Sequence, residues 1–160
     1  MAKAAKGKSR FMSEAIIRQM NLEDVPGVMK VEEASFSGPW DVEIFHKELC
    51  ENDHAYYFVA CLDERIIGYI GTWIVFEDGQ ITNFAIHPDM RGRKIGEKLF
   101  GYALTFMAGK GVERLSLEVR ISNMAAQSLY RKFGLVPGGI RKHYYTDNFE
   151  DAIVMWVNLK

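Results

Sequence analysis

Cysteine is scarce in this sequence. Cys50 and Cys61 stand alone, with no CxxC spacing between them. A disulfide framework and a cysteine-ligated zinc site are therefore not expected, and a reducing cytosol is the default compartment. Long apolar runs are missing too. The longest mostly apolar stretch, Ile66 to Phe76, is broken by Gly68, Gly71 and Thr72. It falls well short of the roughly 18–20 residues that a bilayer demands, so no membrane association is expected. No sign of charge dominates: 20 basic residues face 21 acidic ones for a net −1, and no global field invites nucleic acid. The histidines at 46, 54, 87 and 143 show neither HxxH nor HExxH spacing, so no metal site is expected. A GxSxG nucleophile motif is also missing.

What remains is an ordinary globular mixture, 160 residues with 48% hydrophobic and 26% charged, which suits one domain. Lys3, Lys6, Lys8 and Arg10 give the first ten residues +4. Ser13 and Glu14 then arrive where an export signal would place an apolar core. Residues 1–13 read as a solvated basic tail and 14–160 as the folded domain.

Patterning orders the domain. Ile16–Met20 reads as a strand, and Asn21 as the cap of a helix carrying Val25, Val28, Met29 and Val31. Asp41 caps a second helix through Leu49. Three strands follow, Tyr56–Leu62, Ile66–Phe76 and Gln80–His87, with turns at Asp63-Glu64-Arg65 and Glu77-Asp78-Gly79. Tight turns imply an antiparallel meander. Ile95, Leu99, Tyr102, Ala103, Phe106 and Met107 then step by three and four, a helix stopped by Gly109 and Gly111. Arg114–Val119 reads as a strand reached by a βαβ crossover. A helix capped by Ser122 or Asn123 runs to Phe133, and the strands Leu135–Tyr144 and Ala152–Leu159 complete the chain. This order predicts an α/β fold, a mixed sheet with helices on its faces.

Three clusters could carry chemistry. Arg91, Gly92, Arg93, Lys94, Ile95, Gly96 and Glu97 lie where a strand enters a helix, with unpaired amides, a positive dipole end and three cations. That suits a pyrophosphate, although it equally describes a cationic helix start. In Leu115–Arg120 the alternation turns Leu115, Leu117 and Val119 one way and Ser116 and Glu118 the other. Glu118 is then either functional or paired with Arg120 or Arg131. Asn123, Ala126, Gln127 and Tyr130 share one helical face, where a tyrosine is either packing or a proton donor.

Taken together, these clusters resemble the GCN5-related N-acetyltransferase superfamily, and within it the bacterial ribosomal-protein alanine N-acetyltransferases. The carrying residues are Ile81–Pro88, Arg91–Gly96, Leu117-Glu118-Val119-Arg120, Ser122–Ala126 and Leu129-Tyr130, with Arg141–Tyr145 and Glu150-Asp151-Ala152 at the end. The resemblance implies a splayed, mostly antiparallel mixed sheet with helices on both faces and acetyl-CoA wedged between the two diverging strands. Main-chain groups of Phe84, Ala85 and Ile86 would pair with the pantetheine arm as an added strand does. Arg91 to Glu97 would cradle the pyrophosphate, and Asn123 would hold the cofactor arm. Glu118 would be the general base and Tyr130 the acid for the departing thiolate. Lys94 stands where the family pattern has glycine; it reads as a helical amide, with Gly92 supplying the flexibility before the turn.

An N-terminal amine, with pKa near 8, is about 3 kcal/mol easier to deprotonate than lysine near 10.4. A single Glu suits the easier amine. The expected acceptor is the N-terminus of a small-subunit ribosomal protein, with Trp40, Tyr144 and Tyr145 able to wall a peptide slot or to serve as packing. The alternatives are an acetyltransferase for other protein N-termini or a small amine, and a non-catalytic acyl-CoA-binding module. The last needs neither Glu118 nor Tyr130.

Overall fold

The computed structural model describes residues 14–160; the basic tail expected over residues 1–13 lies outside them. The described residues form a seven-stranded sheet in the order β1-β2-β3-β4-β5-β7-β6. Its strands are β1 (Ile16–Gln19), β2 (Ala55–Leu62), β3 (Arg65–Val75), β4 (Asp78–Ile86), β5 (Arg114–Arg120), β6 (Val136–Arg141) and β7 (Ala152–Asn158). The helices are α1 (Val25–Ser35), α2 (Val42–Glu51), α3 (Ile95–Gly109) and α4 (Met124–Lys132). All neighbours run antiparallel except β4 and β5, which α3 joins as a crossover. Among the described residues no helix is long and apolar enough to cross a membrane.

The helices cover both faces. Val25, Val28 and Val31 of α1 and Phe45 of α2 bury against Tyr57, Val59 and Tyr69 on one side. Leu99, Phe100, Ala103 and Met107 of α3 and Tyr130 of α4 bury against Leu115, Leu117 and Val119 on the other. Side chains that repeat every three or four residues meet side chains that repeat every two.

The caps follow the sequence. Asn21 accepts from the Glu23 amide and Asp24 returns the bond to the Asn21 amide, a capping box that Arg18 locks with two 2.8 Å bonds to Asp24. Asp41 Oδ1 accepts from the Ile44 amide (3.0 Å), and Asn123 Oδ1 from Ala126 (3.1 Å).

Two turns differ from expectation. The first is made by Asp63 and Glu64 alone, both left-handed at φ 49° and 70°, the twist a two-residue hairpin prefers. The second sits at Phe76, φ 55°, and Glu77, so Asp78 and Gly79 belong to β4. Gly79 serves close packing there, because a Cβ would stand 2.8 Å from Met107 Cε and 3.0 Å from Val112 Cγ1.

The irregularity that shapes the site is in β4. Gly71 pairs with Asn83 and Thr72 with Ile81, so Thr82 is an extra residue, a bulge. A bulge re-aims the side chains beyond it. Ile81, Phe84 and Ile86 therefore join the α3 face, while Ala85 joins the α1 face. Just before this bulge the parallel ladder ends: β4 and β5 share only Asp78↔Arg114, Gly79↔Leu115 and Gln80↔Ser116.

Candidate active site

Beyond Gln80 and Ser116 the two halves of the sheet separate, and the opening holds a cavity of about 350 Å³. Phe84 and Tyr130 line it from the α3–α4 face, and Glu118 and Arg120 from β5. Glu32, Trp40 and Asn83 line it from the α1 face, and Tyr145 and Asp147 from the β6–β7 connection.

Glu118 projects to the face opposite Leu117 and Val119, as alternation requires. Its side chain is 13% exposed, and Oε2 accepts from Arg141 Nε at 2.9 Å. The partner is therefore Arg141, neither Arg120 nor Arg131, because the β6–β7 hairpin brings Arg141 alongside. Arg120 is spent elsewhere. It donates to Asp147 at 2.9 Å and to Glu150 and Asn148 at 3.2 Å, and its guanidinium lies 4.0 Å from the centre of the Tyr145 ring. Glu118 Oε1 has no recorded donor among the described residues, so the carboxylate retains accepting capacity.

Tyr130 is 6% exposed, with its ring centre 5.1 Å from Phe100 and 6.4 Å from Phe84. Its hydroxyl has no hydrogen-bond partner among the described residues. Burial, with the nearby Tyr145 hydroxyl adding to it, pushes the phenol well above its ordinary pKa, so it keeps its proton throughout the physiological range.

At the open edge, the His87 amide bonds to the Ile67 carbonyl (2.8 Å). In an antiparallel ladder such pairing alternates. Ala85 therefore directs its main chain toward Tyr69 on β3, while Phe84 and Ile86 direct theirs away from β3. Of the three residues expected at this edge, Ala85 is the one whose main chain β3 already pairs. Arg91 Nε takes the Ile86 carbonyl (2.9 Å), and its Nη2 approaches Ser35 Oγ (3.3 Å). The Arg91 guanidinium thus holds the end of β4.

The segment Gly92–Glu97 is a cradle of amides. The first helical bond runs from the Lys98 amide to the Lys94 carbonyl (3.1 Å), and none of the amides from Gly92 to Glu97 has a partner among the described residues. Lys94 does not behave as a helical amide. It lies at φ 62° and ψ 19°, a left-handed residue before α3, and Gly92 at φ +82° supplies a second left-handed position. Two left-handed residues within three bring to this loop the backbone conformation on which anion nests are built. Asn123 is exposed and commits Oδ1 to its cap, which leaves its amide nitrogen for the cavity. Tyr145 lines the cavity, while Tyr144 packs edge-on against Tyr145 at 5.1 Å.

Sequence reasoning missed Glu32 and Asn83. Glu32 could have been noticed, because it sits four residues after Val28 and seven after Val25 on the buried stripe of α1. Asn83 carried no signal, since the bulge that aims it is invisible in the pattern.

Comparison with known proteins agrees with this geometry. A protein of Bacillus subtilis (strain 168), provisionally named a ribosomal protein bS18-alanine N-acetyltransferase, is 52% identical over 147 residues, 92% of this chain and 97% of its own. The ribosomal protein bS18-alanine N-acetyltransferase of Escherichia coli (strain K12) is 29% identical over 87% of this chain and 94% of its own. The crystal structure of the ribosomal-protein-S18-alanine N-acetyltransferase from Escherichia coli superposes with a TM-score of 0.84, covering 91% of this chain and 94% of that one. The model of the acetyltransferase (GNAT) family matches residues 25–135. With the parting of β4 and β5, the crossover and the amide cradle all inside that span, the chain belongs to the GNAT acetyltransferase family.

Proposed function

We propose that this protein transfers the acetyl group of acetyl-CoA to the N-terminal α-amino group of an alanine on ribosomal protein bS18. Residues 14–160 form the catalytic domain, and the reaction takes place in the cytoplasm without nucleic acid or membrane as a partner. The observation that carries the reading is the meeting of Glu118 and Tyr130 in one cavity where β4 and β5 part. The 52% identical relative supports the acceptor.

The residues fit the donor. The main chain of Phe84 and the Ile86 amide offer a strand edge to an extended amide-bearing arm. The amides of Gly92–Glu97, with the charges of Arg93 and Lys94, suit a pyrophosphate. Acetyl-CoA supplies an activated thioester whose carbonyl carbon an amine can attack. Glu118 draws a proton from the α-ammonium group, directly or through a water, and Arg141 holds its carboxylate in place. Tyr130 keeps its proton on Oη for the departing thiolate, whose unperturbed pKa resembles the 8.5 of a cysteine.

The test is incubation with acetyl-CoA and synthetic N-terminal peptides, read by mass. A 42 Da-class acetyl adduct on an alanine-initiated peptide (roughly one C₂H₂O unit) is expected, and adducts confined to lysine side chains would overturn the reading. Glu118→Gln is expected to keep acetyl-CoA affinity and lower turnover by about 10²–10⁴. Turnover near wild type would reduce Glu118 to a partner of Arg141.

A further inference from the structure

Besides Glu118 and the Arg120-paired Asp147, the cavity holds a carboxylate for which the proposed chemistry has no use. Glu32 is 2% exposed, on the inner stripe of α1. Its Oε2 accepts from the Trp40 amide at 2.9 Å, and its Oε1 from the Tyr69 hydroxyl. Both donors are neutral. Among the described residues no lysine, arginine or histidine nitrogen lies within 4.0 Å of it. A buried carboxylate without a countercharge is costly, and a pure packing role would be better served by an apolar residue. Each of its oxygens also keeps a free lone-pair site.

Asn83 is the independent observation. It faces Gly71 across the β3–β4 ladder, diagonal to Tyr69, and the bulge at Thr82 turns it to the α1 face. Among the described residues its Oδ1 is buried without any hydrogen-bond partner, and the residue lines the same cavity as Glu32. An unpaired buried acceptor carries the full cost of its desolvation. One wall of the cavity therefore presents an acceptor lacking a donor beside a carboxylate lacking a countercharge. A primary ammonium group, with three donors, one positive charge and no acceptor, answers both.

We propose that Glu32 and Asn83 form the receiving site for the N-terminal ammonium group of the acceptor. The proposal rests on the amine-acetylation reading and deepens it. An α-amine of pKa near 8 arrives mostly protonated at neutral pH, so binding the charged group and removing its proton are separate tasks. Glu32 and Asn83 perform the first, and Glu118 the second. Glu32 is in this sense a specificity group: it rejects an acceptor that lacks the terminal charge.

The experiment compares an alanine-initiated peptide with its desamino analogue, in which the terminal amine is replaced by hydrogen. Binding is measured on enzyme loaded with CoA, and steady-state kinetics are run on the amine peptide. Wild type should favour the amine peptide by about tenfold or more, the effect of a charge-assisted hydrogen bond. Glu32→Gln should lose that preference and raise the peptide KM by a similar factor, with a much smaller change in kcat and no change in the acetyl-CoA KM. Asn83→Ala should shift the preference the same way by several-fold. Wild-type preference in both variants, or a loss confined to kcat, overturns the proposal. Should Glu32→Gln fail to fold, Asn83→Ala decides alone. A wild-type enzyme that acetylates no peptide N-terminus overturns the amine reading and this one together. Acetylation with an undisturbed preference in the variants overturns this one only.

Discussion

Tyr130 is a case where packing and chemistry make different demands on one side chain. Its ring fills the space between Phe100 and Phe84, while its hydroxyl bonds nothing in the described residues. Tyr130→Phe keeps the ring and removes only that hydroxyl, so the free energy of unfolding should hold within about 1 kcal/mol. Single-turnover acetylation should fall at constant acetyl-CoA affinity; an unchanged rate would return the residue to packing. Lys94 poses the opposite problem, a side chain in a conformation suited to glycine. An L residue in the left-handed region costs about 1 kcal/mol. Lys94→Gly should relieve that strain in the folded state, offset in part by the larger entropy of an unfolded glycine. The expected net change is a gain of a few tenths to 1 kcal/mol in chemical denaturation, together with weaker acetyl-CoA binding from the lost charge. A loss of stability would mean that the lysine stem packs usefully against the loop.

Among the elements, β4 does most to build the site. Its first residues pair with β5, its bulge at Thr82 reverses which side chains face α1, and its last residues leave an open edge. Gly71 on β3 makes the bulge possible. A Cβ there would stand 2.4 Å from Tyr57 Cε2 and 3.0 Å from Thr82 Oγ1. The Tyr57 ring has little freedom to retreat, since its hydroxyl is held by Glu48 at 2.8 Å. Gly71→Ala should therefore cost about 1–3 kcal/mol, the range for overpacking, and should disturb peptide kinetics more than acetyl-CoA binding. Urea denaturation with parallel kinetics measures both, and a neutral substitution would show that Tyr57 can move.

At the scale of the whole molecule, carboxylates tie distant segments together and set its acid limit. Arg18 holds Asp24 below the usual carboxylate pKa through its hydrogen bonds, and the His143 amide does the same for Asp151. A carboxylate whose folded pKa is depressed contributes stability above its unfolded value, near 3.9, and loses it as pH falls through the folded value. The melting temperature should therefore be flat above about pH 5 and fall steeply below about pH 4. Asp24→Asn should flatten part of that fall and cost stability at pH 7. Identical acid profiles for variant and wild type would remove Asp24 from this linkage. The site itself depends on such ties, because Ser37 on one side of the cavity bonds Asp147 on the other at 3.1 Å, 110 residues apart in the chain.

The sequence by itself determined the element order, the caps at Asn21 and Asp41, the faces of α3 and β5, and the βαβ crossover. Each of these rests on interactions within a few residues or on a period of 2 or 3.6, which a linear pattern records. The faces on which Glu118 and Tyr130 stand were legible for the same reason, whereas the roles expected of them came from the resemblance to a family and not from any period. Only the tertiary structure decided the rest. It gave Glu118 the partner Arg141, turned Arg91 back onto Ile86, set Lys94 at positive φ, and aimed Asn83 beside Glu32. These outcomes depend on which strands become neighbours and where one ladder gains an extra residue. Pairing register is fixed by the joint packing of both sheet faces, a property that no single stretch of sequence carries.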